Sequence, residues 1–143
     1  MTPRQIELVQ RSFRSLLPIT DGAAALFYTR LFELDPELRS LFHSDMKQQG
    51  QKLMVALGVI VRHLHNLGEI LPGVRALAER HASYGVKSSH YATVGQALLD
   101  TLRAGLGDTF TGEVRDAWLG AYSVLSETMI AAVEEPQPAW RTL

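Results

Sequence analysis

ERHASYGVKSSHY, residues 79–91, sets two histidines nine positions apart in a chain that has five histidines and no cysteine. What His81 does decides how the whole sequence is read. Around it, residues 72–83 place Val74, Leu77, Ala78 and His81 at i, i+3, i+4 and i+7, one stripe of a helix. Arg75, Glu79 and Arg80 fall on the other face. His81 is therefore expected to point inward from a short helix with little other apolar bulk. A buried neutral imidazole needs a partner at each ring nitrogen. It is either a core histidine bonded to a carbonyl or a ligand.

The other histidines offer no second ligand. His90 stands at a helix start and His43 in a loop. His63 and His65 flank the apolar row Leu53, Leu57, Ile60 and Leu64 and read as solvated. There is no H-x-x-x-H, H-E-x-x-H or E-x-x-H, no G-x-S-x-G and no glycine-rich phosphate loop. A dinuclear carboxylate site has no motif here. The absence of cysteine excludes disulfides, zinc–thiolate and iron–sulfur sites and haem attached through C-x-x-C-H. One kind of metal site needs only a single protein ligand: a haem brings four nitrogens and the protein adds an axial histidine. A large apolar cofactor would also explain a short helix held over a cavity.

Working outward, the dominant period is helical. Residues 4–17 carry Ile6, Val9, Phe13, Leu16 and Leu17 on one face, and Pro18 is expected to stop that helix. Thr20 or Asp21 can cap the next, to about Leu34. Asp35-Pro36-Glu37 starts a short helix ending near Phe42. A long helix follows over about 48–66, with Gly68 placed to end it. Further helices are expected at 72–83, at about 90–106 with a cap at Ser88 or Ser89, and at about 112–135 with a cap at Thr111. Gly85, Gly107 and Pro136 punctuate them. The chain reads as all-α, seven to eight helices, with a domain over 1–136 and a tail at 137–143.

The totals agree with one soluble domain. The chain has 143 residues, 46% hydrophobic and 20% charged, with a net charge of -1. That balance gives no electrostatic reason to expect nucleic acid or an anionic membrane as partner. The opening MTPRQIELVQRSF interrupts its apolar residues with charge, unlike a signal peptide. The most apolar run, LMVALGVIV (53–61), is far short of the ~20 residues of a membrane span. A soluble, cytoplasmic protein is expected.

Four segments carry a resemblance: FYTRLFELDPELRSLF (27–42), QKLMVALGVIVRHLHNL (51–67), LPGVRALAERHASYGVKSSHYATVGQALL (71–99) and DAWLGAYSVL (116–125). Together they resemble a single-domain bacterial globin, similar to the haem domain of flavohaemoglobins, over about Ile6 to Glu135. The resemblance implies a globin fold around a haem b (iron protoporphyrin IX). It implies His81 as the iron ligand through Nε2, with an acceptor for Nδ1–H near a tyrosine and a glutamate that match Tyr91 and Glu135. It sets Phe42 on the haem face and Val86 on its edge, with Tyr28, Gln49 and Leu53 on the distal side. Tyr28 and Gln49 would donate hydrogen bonds to bound O₂. The alternatives are a Tyr28 bonded to a backbone carbonyl and a Gln49 turned to solvent. Helix arithmetic independently puts Gln49 and Leu53 on one face and Tyr28 with Ala24, Leu31 and Phe32. Arg80, Lys87 and His90 are propionate partners or surface groups. Trp118 and Tyr122 read as core and rim.

The function implied by the resemblance is reversible binding of O₂, and of NO or CO, extending to NO dioxygenation. Flavohaemoglobins carry a flavin and nicotinamide domain downstream. This chain stops after the last globin helix, so turnover would need a separate reductase, and enzymatic status stays open. The rival reading is a globin-fold sensor acting through a partner protein, though no transmitter segment is present.

Overall fold

The computed structural model describes residues 1–43 and 45–134. Among these it has no strand and six α-helices: α1 (Pro3–Leu16), α2 (Thr20–Leu34), α3 (Met46–Arg62), α4 (Leu71–Ser83), α5 (His90–Leu106) and α6 (Gly112–Glu134). Short 3-10 turns at Leu17–Ile19, Pro36–Leu41, Leu67–Ile70 and Gly107–Thr109 link them. All seven expected helical segments are present, the shortest as the 3-10 turn Pro36–Leu41. It is capped by Asp35, whose carboxylate accepts from the Glu37 N–H at 3.2 Å. Six residues are too few to offset the cost of nucleating an α-helix.

Several boundaries differ from the expectation, each for a local reason. Pro18 does not stop the chain from turning: it lies in the 3-10 turn Leu17–Ile19. That turn feeds straight into α2, which has no side-chain cap from Thr20 or Asp21. α3 starts at Met46, where Asp45 accepts from the Lys47 N–H at 3.3 Å. It ends at Arg62 because the His63 N–H bonds the Ile60 carbonyl at 3.1 Å, a tightened last turn. His63 is half-buried rather than solvated, its Nδ1 2.8 Å from the Val59 carbonyl. Gly68 consequently lies in a separate 3-10 turn. At α5 Ser89 makes no side-chain cap; His90 Nδ1 instead accepts from the Lys87 N–H at 3.0 Å. Thr111 does cap α6, accepting from the Val114 N–H at 3.2 Å. A capping box the sequence reading missed, Thr2 with Gln5, stabilises the start of α1 by about 1 kcal/mol. Gly85 (φ 100°) and Gly107 (φ 56°) take the left-handed backbone that follows α4 and α5. Glu135 and the tail at 137–143 lie outside the described residues.

The core forms where α1 lies on α6 and α2 crosses both α3 and α5. Val9, Leu31 and Leu102 are fully buried, each worth ~1.5–3 kcal/mol of apolar burial. Trp118 is 3% exposed and belongs to this core. Its indole N–H donates to Ser12 Oγ at 2.8 Å, so the one polar atom of the ring is satisfied. The α2/α3 crossing is tight, because a Cβ on Gly50 would stand 2.9 Å from Ala24 Cβ. α4 rests instead on α6, through a small cluster of Val74, Ala78 and Met129. α3 and α4 thus lean on different partners, and a cavity opens between them.

Candidate functional site

That cavity has a volume of about 550 Å³, in the range of small-molecule pockets. One wall comes from α4, α5 and α6, the other from α2, α3 and Phe42. His81, Tyr28, Phe42, Gln49, Leu53, Val86 and Tyr91, scattered through the sequence, all line it.

His81 is half-buried, and its Nδ1 lies 2.9 Å from the carbonyl of Leu77. A carbonyl only accepts, so Nδ1 carries the proton and the neutral ring has its lone pair at Nε2. Burial lowers the pKa of His81, and the Leu77 hydrogen bond opposes that while the charge of Arg80 adds to it. The ring is therefore neutral near pH 7 and equipped to bind a metal at Nε2. The acceptor at Nδ1 is backbone, one turn back in the same helix. Tyr91 borders the same cavity, and its phenol is pushed up by burial.

The loop after α4 returns the chain to the pocket. Positive φ at Gly85 turns it, and the Val86 N–H donates to the His81 carbonyl at 3.0 Å. On the same wall the Tyr122 hydroxyl donates to the Tyr91 carbonyl at 2.6 Å. A Cβ on Gly95 would meet the Tyr122 ring at 2.8 Å, so only glycine lets that ring lie against α5. Burial pushes the Tyr122 phenol far up, and it stays protonated.

Across the cavity, Tyr28 is 7% exposed. Its ring is held edge-on by Phe27 and Phe42, at centroid distances of 5.0 and 5.3 Å. Burial raises the Tyr28 pKa, and a hydrogen bond with the Gln49 side chain opposes it. The phenol is protonated at pH 7, with the Gln49 side chain as a hydrogen-bonding neighbour. Gln49 is half-buried, one turn before Leu53 on the pocket face of α3.

The globin family profile matches residues 25–129. This chain is a globin. Over 133 residues it is 41% identical to the flavohaemoprotein of Bordetella parapertussis, a stretch covering 91% of this chain and 33% of that protein. The chain thus spans about a third of the length of such relatives. The bacterial globin of Campylobacter jejuni superposes with a TM-score of 0.83 at 25% identity, covering 92% of this chain and 95% of that one. An engineered carbene transferase, built on a candidate nitric oxide dioxygenase of Rhodothermus marinus, gives a TM-score of 0.83 at 31% identity over 93% of this globin and 95% of that chain.

Globin membership implies a haem, and the pocket suits one. A flat apolar ring with an acidic edge needs an apolar slot, one imidazole and cations at the rim. Lys52 and Arg80 both line the cavity, and neither enters an ion pair among the described residues. Of the expected rim cations, Arg80 is present, but Lys87 and His90 do not line the globin's pocket; the imidazole of His90 is taken up by the Lys87 backbone. Sequence reasoning missed Lys52, although it stands three residues after Gln49 on the same helix. Tyr122, expected with Trp118 as core and rim, is half-buried and borders the cavity, its ring set against α5 by a contact that no local pattern announces. Among the described residues no group of three His, Asp or Glu could hold a metal ion.

Proposed function

We propose that this globin holds a haem b through His81 and binds O₂ reversibly, with NO and CO as further ligands. The observation that carries the reading is His81 itself: its Nδ1–H is committed to the Leu77 carbonyl, and its Nε2 lone pair belongs to a cavity whose other wall holds the Tyr28–Gln49 pair. Haem, when bound, supplies an iron that takes up a diatomic ligand.

The protein's own residues do the rest. His81 anchors the cofactor and stays neutral. Lys52 and Arg80 take its carboxylates. Leu53, Phe42 and Val86 keep water from the apolar slot. Gln49 donates its amide N–H to the phenol oxygen, which leaves the Tyr28 O–H to donate to a ligand that carries partial negative charge. Such a bond is worth ~1.5–3 kcal/mol, a factor of ~10–100 in ligand release. CO, less polar, gains less.

Similarity to flavohaemoproteins and to a candidate nitric oxide dioxygenase extends the proposal to NO detoxification. NO, O₂ and one electron together make nitrate, so a separate reductase would supply that electron in the cytoplasm. No helix among the described residues is long and apolar enough to cross a membrane.

The test is an absorption spectrum after adding haem to the purified protein. A Soret band at one haem per chain is expected. A single addition of NO to the reduced, O₂-saturated protein should then yield nitrate. Absence of a Soret band would sink the haem reading; a band without nitrate would leave a ligand-binding globin and remove the detoxification.

A further inference from the structure

The chain has four tyrosines, and Tyr28, Tyr84, Tyr91 and Tyr122 all border the pocket. They differ in their access to water. Tyr28 is 7% exposed. Tyr91 and Tyr122 are half-buried, and the Tyr122 hydroxyl is committed to the Tyr91 carbonyl at 2.6 Å. Tyr84 is 62% exposed. It follows α4 directly, and its N–H lies 3.1 Å from the Arg80 carbonyl and 3.2 Å from the His81 carbonyl. One ring therefore borders both the cavity and the solvent, and its backbone is bonded to the residue that would hold the iron. Binding O₂ gives this ring no role.

A phenol that loses an electron inside an apolar wall becomes a buried cation unless its proton leaves too. Around Tyr28, Tyr91 and Tyr122 the protein restricts the water that would take that proton. At Tyr84 bulk water takes it.

We propose that Tyr84 is the surface outlet of a peroxide-driven oxidation of phenols. The proposal rests on the haem reading above and takes hydrogen peroxide as the oxidant. Haem, when bound, carries the oxidising equivalents of peroxide. Tyr84 returns one electron and releases one proton to water. The oxidised ring then draws an electron and a proton together from a phenol resting against it. That exchange trades one phenolic O–H bond for another of similar strength, so it costs little. Two such cycles balance. The O–O bond breaks, two phenols each give one electron and one proton, and peroxide leaves as two waters. The two phenoxyl radicals join through a new C–C bond. With no phenol present, the partner is Tyr84 of a second copy of the chain, and the product is a dityrosine-linked dimer.

The test adds a stoichiometric amount of hydrogen peroxide to the haem-loaded protein. A covalent dimer is expected on denaturing gels, with dityrosine fluorescence and a Tyr84–Tyr84 linked peptide by mass spectrometry. Guaiacol, a simple phenol, should suppress the dimer and be oxidised in its place. The protein without haem should give neither product. Tyr84→Phe should lose the linked peptide and slow guaiacol oxidation, its Soret band reporting that it has folded. Val55→Tyr, added to Tyr84→Phe, sets a phenol at a 69% exposed position outside the pocket and should not restore the dimer. An unchanged dimer in Tyr84→Phe, a linkage through another tyrosine, or restoration by Val55→Tyr would overturn the proposal. A protein that shows no Soret band would instead overturn the haem reading on which the proposal rests.

Discussion

The two walls of the pocket prepare their polar groups by different means. On the α4 side, the tautomer of His81 is set by Leu77, one turn back in the same helix. Any regular helix offers that carbonyl, so the arrangement is local. On the other side, the Tyr28 phenol of α2 meets the Gln49 side chain of α3, a pairing between two helices that cross closely at Ala24 and Gly50. The near wall should therefore tolerate changes elsewhere in the fold, and the far wall should not. Local hydrogen bonds make a durable anchor; bonds between helices make a tunable one.

The largest effect is expected on the local side. His81→Ala should abolish haem retention or weaken it by orders of magnitude, whereas His90→Ala should leave it intact, because that ring is spent on the Lys87 backbone and does not line the pocket. Haem titration followed by the Soret band separates the two. Equal behaviour would break the comparison at its root.

Next comes the inter-helix pair. Tyr28→Phe keeps the ring and removes the donor, and should speed O₂ dissociation by ~10- to 100-fold with association changed less. An unchanged or slower off-rate in stopped flow would mean that Gln49, released from the phenol, donates in its place. Gln49→Leu should act in the same direction with a smaller factor. Since the two side chains bond each other, the double variant should be non-additive, with a coupling of ~0.5–3 kcal/mol.

A matched pair of glycines sharpens the contrast. Gly50→Ala drives a methyl against Ala24 Cβ at 2.9 Å, and Gly95→Ala drives one against the Tyr122 ring at 2.8 Å. Each should lose ~1–3 kcal/mol to overpacking, less ~1 kcal/mol returned by the better helix propensity of alanine. Thermal unfolding gives the stability change. Gly50→Ala should also shift the O₂ off-rate while leaving haem affinity nearly as it was. Gly95→Ala should do the reverse. If both variants move the same quantity, the walls are not independent.

The smallest effect concerns the scaffold beneath α2. Arg30 of α2 bonds Asp100 of α5 at 2.7 Å, and Gln96 adds a bond at 2.9 Å. Burial raises the Asp100 pKa, but these bonds outweigh it and hold the carboxyl below its ordinary value. A depressed carboxylate stabilises the fold above its unfolded pKa, about 3.9, and that contribution is lost as pH falls through the folded pKa. Asp100→Asn should therefore lower stability slightly at neutral pH and flatten its decline below about pH 4. Urea unfolding at several pH values reads this directly. An acid profile identical to that of the unmodified protein would remove Asp100 from the account.

Much of the far wall was legible because helical arithmetic gives faces. Gln49 and Leu53 are one turn apart, and Tyr28 shares a stripe with buried Leu31. What stayed hidden were ends and partners. α3 stops at Arg62, where the His63 N–H tightens the last turn on the Ile60 carbonyl and its ring lies against the Val59 carbonyl, neither of which periodicity shows. Nothing in the neighbourhood of Tyr122 shows that Gly95, 27 residues earlier, makes room for its ring.

By itself the sequence determined the helices, their inward stripes and the single inward histidine on α4, because these follow from a fixed rise and turn per residue. Only the tertiary structure decided that Tyr28 meets Gln49 and that Lys52 and Arg80 border one cavity. Those depend on how closely two helices approach and at what point they cross. That is governed by small residues such as Gly50 and Ala24, whose contribution is the space they leave rather than any pattern they make.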